Sequence, residues 1–157
     1  MDYKELDLHN NKLRVYYDGK VEVKKKHNDD YYEKKCCINR GYIRLSLTHN
    51  KEQKGYLVHR IVAVAFGIIP TIDIKMLIDH IDRDKSNNYL SNLRIATTQE
   101  NSRNTNAKGY TFHKQQQKYQ AQIVVDGKHI YLGLFDLEAD AHQAYLDARI
   151  KYFGDFA

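Results

Sequence analysis

Apolar and polar residues alternate along Gly41-Tyr-Ile-Arg-Leu-Ser-Leu, the two-residue period of a half-buried strand. Lys12-Leu-Arg-Val-Tyr-Tyr and Gly19-Lys-Val-Glu-Val flank Asp18-Gly19, a strong hairpin signal, so residues 6–57 read as a series of short strands. The period then changes. Val58, Ile61, Val62, Ala65 and Phe66 recur at helical spacing, and Gly67 and Pro70 end that helix. Residues 74–81 read as a strand, 82–88 as a polar loop and 93–96 as the returning strand. Thr97-Thr-Gln-Glu100 is a capping box that opens a short helix with Asn101 in its first turns. A polar connector, 104–109, leads to a second alternating pattern. Tyr119, Ala121 and Ile123 alternate with Lys118, Gln120 and Gln122; after the Asp126-Gly127 turn, Ile130, Leu132 and Leu134 alternate with His129, Tyr131 and Gly133. Asp136 is placed to cap a last helix whose Leu137, Ala141, Ala144, Tyr145 and Ala148 form an apolar stripe.

These elements predict an α+β protein: a β-rich N-terminal region, a ββα core, then a three-stranded antiparallel sheet packed on one helix. Its 157 residues suit two small domains, here drawn as 1–106, with a core at about 57–106, and 107–157. A hydrophobic content of 42% supports packed cores, and no apolar run reaches membrane-spanning length. The charged opening Met1-Asp2-Tyr3-Lys4-Glu5 leads into no apolar h-region, so the expectation is a soluble, intracellular protein without a secretory signal. Richness in Lys, Asn, Ile and Tyr fits an AT-rich gene of viral or phage type. Cys36 and Cys37 are adjacent, which suits neither a disulfide with each other nor a complete zinc site, and a reduced pair is expected.

The formal charge of +5 favours a polyanionic partner. Its distribution is uneven. Residues 107–134 carry +3 and residues 135–157 carry −3, so the C-terminal unit is neutral but polarised, and everything before it holds the net +5. Lys24-Lys25-Lys26-His27-Asn28-Asp29-Asp30 reads as a solvated loop, with phosphate contact as the alternative.

Candidate chemistry concentrates in Met76 to Asn104. Asp79, His80, Asn92 and Asn101 supply an acid, an imidazole and two carboxamides, the groups that hold a hard cation against a phosphate while a histidine activates water. Asp79-His80-Ile81-Asp82, Asn87-Asn88, Asn92-Leu93 and Glu100-Asn101 resemble the HNH nuclease motif in its homing-endonuclease form, where DHIDGN, NNR, NL and EN recur. Val58-His-Arg-Ile-Val-Ala-Val-Ala-Phe is similar to the helix that precedes the motif there. The resemblance implies a ββα-metal core with Asp79 and Asn101 as metal ligands, His80 as general base, and Asn92 as a residue that orients the histidine or braces the loop. Asn92 as an ordinary turn residue stays open. Neighbouring strand residues face opposite ways, so Asp82 is the alternative carboxylate ligand. The implied cofactor is a divalent cation, magnesium first and manganese second, and the implied partner is double-stranded DNA. Arg60 is a candidate phosphate contact and His59 a weaker candidate.

The C-terminal unit resembles the Apetala-two (ethylene-response-factor) DNA-binding domain on Lys118-Tyr-Gln-Ala-Gln-Ile, Tyr131-Leu-Gly-Leu-Phe-Asp, Ala141-His-Gln-Ala-Tyr and Phe153-Gly-Asp-Phe-Ala. An exposed sheet of this kind can lie in the major groove. Strand parity nominates Lys114, Lys118, Gln120, Gln122, His129 and Tyr131 as its DNA-facing side chains. Cleavage of DNA by a homing-type endonuclease is the leading functional expectation. The alternative is a non-catalytic, sequence-specific DNA-binding regulator.

Overall fold

The computed structural model describes residues 3–156; Met1, Asp2 and Ala157, which begin the charged N-terminal stretch and end the Phe153–Ala157 motif, lie outside them. The chain forms two compact units, residues 1–97 and 98–157. Both are sheet-rich with few helices, in line with the α+β expectation.

In the first unit, β1 (Tyr3–Leu8), β2 (Asn11–Tyr16), β3 (Val21–Lys24) and β4 (Tyr31–Glu33) make an antiparallel sheet in that order. Leu13, Val15, Val21 and Val23 point inward while their sequence neighbours face solvent or its margin. A second sheet follows from β5 (Cys37–Asn39), β6 (Tyr42–His49) and β7 (Glu52–Leu57). Its buried Leu45 and Leu47 meet Ile61 and Val62 of α1 (Val58–Ala65) in one core. Asn11 of β2 ties the two sheets together by donating to the Thr48 carbonyl of β6 at 2.9 Å.

β8 (Leu77–His80) and β9 (Leu93–Ala96) form a two-stranded ribbon, paired so that Asp79 lies opposite Arg94 and His80 opposite Leu93. Ile78 and Leu93 join the unit's core, which anchors the ribbon against α1. The connection from α1 to β8 is irregular, and Arg60 closes it. Its guanidinium donates to the carbonyls of Ile72 (3.1 and 2.9 Å), Ile74 and Met76 (2.8 Å). Arg60, expected to meet phosphate, thus directs its donors at this loop. A loop without backbone pairing must satisfy its carbonyls somewhere, and the planar fork of arginine serves three of them.

In the second unit, α2 (Thr98–Arg103) begins one residue after Thr97, as the capping sequence has it. Arg103 and Gln99 both bond to Asp126 in the turn between β11 (Lys118–Val125) and β12 (Lys128–Phe135). The sheet order is β10 (Tyr110–His113), β11, β12. α3 (Glu138–Phe153) packs on it through Tyr145 and Ala148, against Ile123, Val125, Ile130 and Leu132. Gly109 lets this helix approach closely: at φ 74°, a Cβ there would sit 1.9 Å from the Tyr145 ring. Arg149 is buried and donates to the Thr105 and Arg103 carbonyls at 2.6 and 2.7 Å.

Four expectations for this unit change. A register shift between Ala121 and Gln122 pairs Ala121 with Gly133 but Gln122 with Tyr131. The bulge reverses the parity of β12, so Leu134 lies opposite Gln120 and is exposed, not inward. The N-cap of α3 is Leu137, 62% exposed, so it leaves the apolar stripe; Asp136 pairs with Lys118 at 3.1 Å and does not cap the helix. Lys114 sits in the turn between β10 and β11, off the strand face.

Candidate active site

Two adjacent polar residues on β8 are buried, Asp79 at 5% and His80 at 4% exposure. Leaving such groups without partners costs several kcal/mol, so their surroundings must supply them. The strand turns them to opposite sides, and each side has its own partner. Asp79 Oδ2 accepts from both Nε and Nη2 of Arg94 on β9, each at 2.9 Å. Arg94 was not singled out from the sequence. The signal was there in the ribbon's register, which sets an arginine directly across from the aspartate.

His80 faces the loop. Its Nε2 lies 3.3 Å from Asn88 Oδ1, and Asn88 is itself buried. The His59 ring of α1 meets the His80 ring edge-on, with centroids 5.0 Å apart and planes at 80°. Tyr42 of β6 lies close to both histidines. His59 is therefore part of the His80 surroundings. Burial, with smaller contributions from His80 and Arg60, lowers its pKa to about 3, so it stays neutral in the fold. Its Nδ1 is buried without a hydrogen bond.

Between the two strands, the loop is organised by Asn92 and Asp82. Asn92 Nδ2 donates to Asp82 Oδ1 (2.9 Å) and the Asn87 carbonyl (2.8 Å), and its Oδ1 accepts from the Asp82 backbone N–H (3.0 Å). These bonds brace the loop. Asp82 also accepts from Asn87 Nδ2 and from the Asp84 backbone, so both of its oxygens work within the loop. Desolvation would raise its carboxyl, but the bonds from Asn87, Asn92 and Asp84 together hold it below the ordinary carboxylate value.

Asp79, His80 and Asn92 all belong to the first unit, while Asn101 is an exposed residue of α2 in the second. Among the described residues no group of three or more His, Cys, Asp or Glu side chains could hold a metal ion. The donor set that the sequence nominates is one carboxylate and one carboxamide. Such oxygens fit a hard cation that keeps several waters and takes further ligands from a phosphate.

In the second unit, cross-strand pairing groups Thr111 with Gln120, His113 with Lys118, Gln122 with Tyr131 and Val124 with His129, on the face away from Tyr119, Ala121 and Ile123. The face therefore holds Lys118, Gln120, Gln122, His129 and Tyr131, and adds Thr111, His113, Val124 and Leu134, which were not nominated from the sequence.

Residues 56–103 match the family model described as HNH endonuclease. The chain is 45% identical over 62 residues to YosQ, an SPbeta prophage-derived protein of Bacillus subtilis (strain 168), covering 39% of this chain and 35% of that protein. It is 36% identical over 67 residues to the H-N-H endonuclease F-TflI of Escherichia phage T5, covering 42% and 34% respectively. The chain thus spans about a third of the length of these relatives. Among solved structures, the one titled "DNA binding and cleavage by the HNH homing endonuclease I-HmuI" superposes with a TM-score of 0.51 at 27% identity, over 83% of this chain and 77% of that one. The segment similar to HNH endonucleases is thus the one that carries Asp79, His80, Asn92 and Asn101.

Proposed function

We propose that this chain is a metal-dependent DNA endonuclease of HNH homing type, hydrolysing phosphodiester bonds in double-stranded DNA at a site bound by the C-terminal sheet. The observation that carries the reading is the buried Asp79-His80 pair on β8, partnered by Arg94 and Asn88, inside the segment that matches the HNH family.

Hydrolysis requires an activated water, neutralisation of charge on the phosphate and help for the departing 3′-oxygen. His80 takes a proton from the water as its oxygen bonds to phosphorus and the P–O3′ bond breaks. Asp79 would contribute a carboxylate ligand to the divalent cation, with Arg94 fixing its orientation, and Asn101 is the carboxamide that the HNH resemblance nominates beside it. When bound, that cation supplies charge stabilisation at the nonbridging and leaving oxygens. Magnesium is favoured over a thiophilic or nitrogen-seeking ion because the donors are oxygens.

Substrate binding divides between the units. Lys12, Lys24, Lys25, Lys26 and Lys34 line one groove of the first unit, where the net positive charge resides. Phosphate contacts there would supply affinity without sequence preference. The C-terminal sheet, read as an Apetala-two-type module, would supply base contacts through Gln120 and Gln122, since a carboxamide can bond adenine at two points.

A supercoiled-plasmid assay tests the reading. Wild type should nick or linearise DNA with magnesium and stop with chelator, and His80→Ala should bind DNA but not cleave it. Binding by wild type without cleavage under any divalent cation would overturn it and leave the non-catalytic regulator.

A further inference from the structure

We infer that Asn88 is a positioning residue that sets the tautomer of His80, and that the β2–β3 turn at Gly19 holds Asn88 in place to do so. The inference rests on the reading of His80 as the base. A base must present a lone pair, and a neutral imidazole has it on one nitrogen only. Which nitrogen is decided by the partner of the other.

The partner facing the ring is a carboxamide, whose two ends must be told apart. Asn88 Nδ2 donates to the Ser86 carbonyl at 3.2 Å. Turning the amide over would bring Oδ1 against that carbonyl, oxygen to oxygen. Oδ1 is therefore the atom 3.3 Å from His80 Nε2, and it can only accept. Nε2 carries the proton, and the lone pair belongs to Nδ1. The ring plane is also restrained, by His59 edge-on and by Tyr42 beside it.

Asn88 is held from a distant part of the chain. A Cβ on Gly19 would lie 2.7 Å from Asn88 Cβ, 2.9 Å from its carbonyl oxygen and 3.0 Å from its carbonyl carbon. Gly19 also adopts φ 88°, a conformation other L residues rarely take. Two residues on, the Leu90 backbone N–H donates to the Tyr17 carbonyl at 2.9 Å. The turn between β2 and β3 thus presses on the loop backbone at Asn88, and only a residue without a side chain permits the contact. This support lies outside residues 56–103, so the scaffold of His80 extends beyond the family-matched segment.

The test uses the full chain and a readout that needs no cleavage. Long-range proton–nitrogen NMR of the ¹⁵N-labelled protein, at a pH where imidazole is neutral, reports which ring nitrogen is protonated; His80→Gln assigns the signal. Wild type should show His80 protonated at Nε2. Asn88→Leu, similar in shape but without the acceptor, should give a mixture of tautomers, and Asn88→Asp, which keeps an oxygen there, should retain the wild-type form. Single-turnover cleavage by Asn88→Leu should fall roughly 10–100-fold with DNA affinity unchanged, and Asn88→Asp should recover part of the loss. Gly19→Ala should shift both readouts in the direction of Asn88→Leu. Protonation at Nδ1 in wild type overturns the inference even if no variant folds, as does an unchanged tautomer in Asn88→Leu. Absence of cleavage by wild type would instead strike the nuclease reading and leave the tautomer result standing.

Discussion

Replacing Arg60 by alanine separates a structural role from a DNA-contacting one. Four hydrogen bonds from its guanidinium reach three carbonyls of the loop leading into β8. Bonds to a charged donor contribute about 1.5–3 kcal/mol each when well buried. Arg60 is only half-buried, so about 1 kcal/mol per carbonyl is the appropriate scale, or about 3 kcal/mol for the three. The first unit comprises residues 1–97, and in a domain of that size 1 kcal/mol moves Tm by about 4–8 °C, so a fall of about 12–24 °C is expected. Arg60→Lys should recover less than half, because one ammonium lacks the planar fork. Calorimetry or far-ultraviolet thermal melts measure this, with duplex-DNA affinity measured below the melting range. DNA affinity should stay within twofold of wild type. A melt displaced by less than about 4 °C, the equivalent of 1 kcal/mol, together with a tenfold loss of affinity, would refute the argument and restore Arg60 as a phosphate contact.

Arg94→Met should destabilise the first unit by about 3–5 kcal/mol, since it leaves the Asp79 carboxylate buried without its guanidinium; adding Asp79→Asn should return most of the loss in denaturant titrations, and a single-variant effect below about 1 kcal/mol would count against the pair. His59, lowered from 6.5 to about 3 in the fold, should make the protein less stable as pH falls from 6.5 towards 3, because the unfolded chain takes up a proton there that the native state does not. At most this amounts to about 5 kcal/mol, and His59→Phe should flatten the slope of stability against pH in that window; an unaltered slope contradicts the assignment. Changing Lys12, Lys25 and Lys26 together to glutamine should flatten the logarithmic salt dependence of DNA binding by about 0.9 per lost phosphate contact, whereas an unchanged slope would remove the groove from the binding surface. Gln120→Ala and Gln122→Ala should relax site preference by roughly 1–3 kcal/mol per lost base contact in selections from random DNA, and identical selected sites would mean that the sheet face does not read bases.

Local order was legible in the sequence because it depends on short-range rules. The alternation around Leu45 and Leu47, the helical spacing from Val58 to Phe66, and the turn at Asp126-Gly127 each dictate an element from neighbouring residues alone. So does the order of acid, histidine and carboxamides that marks the candidate site. Where a rule counted residues along a strand, one irregularity undid it: the bulge at Ala121/Gln122 moved Leu134 to the outer face, a shift that residue parity cannot anticipate.

Partner choice was decided only in three dimensions. Arg60 and Asp136 read as a phosphate contact and a helix cap, yet unpaired loop carbonyls claimed the first and Lys118 the second. Asp79 found Arg94 across a strand pair, and Asn88 found His80 on one side and Gly19, from a different sheet, on the other. The sequence by itself determined most of the elements that form and nominated the acid, imidazole and carboxamides of the candidate site, because backbone preference and hydrophobic period act over a few residues. Which buried polar atom satisfies which other was left to the tertiary structure, since that depends on groups brought together from 8 to about 70 positions apart.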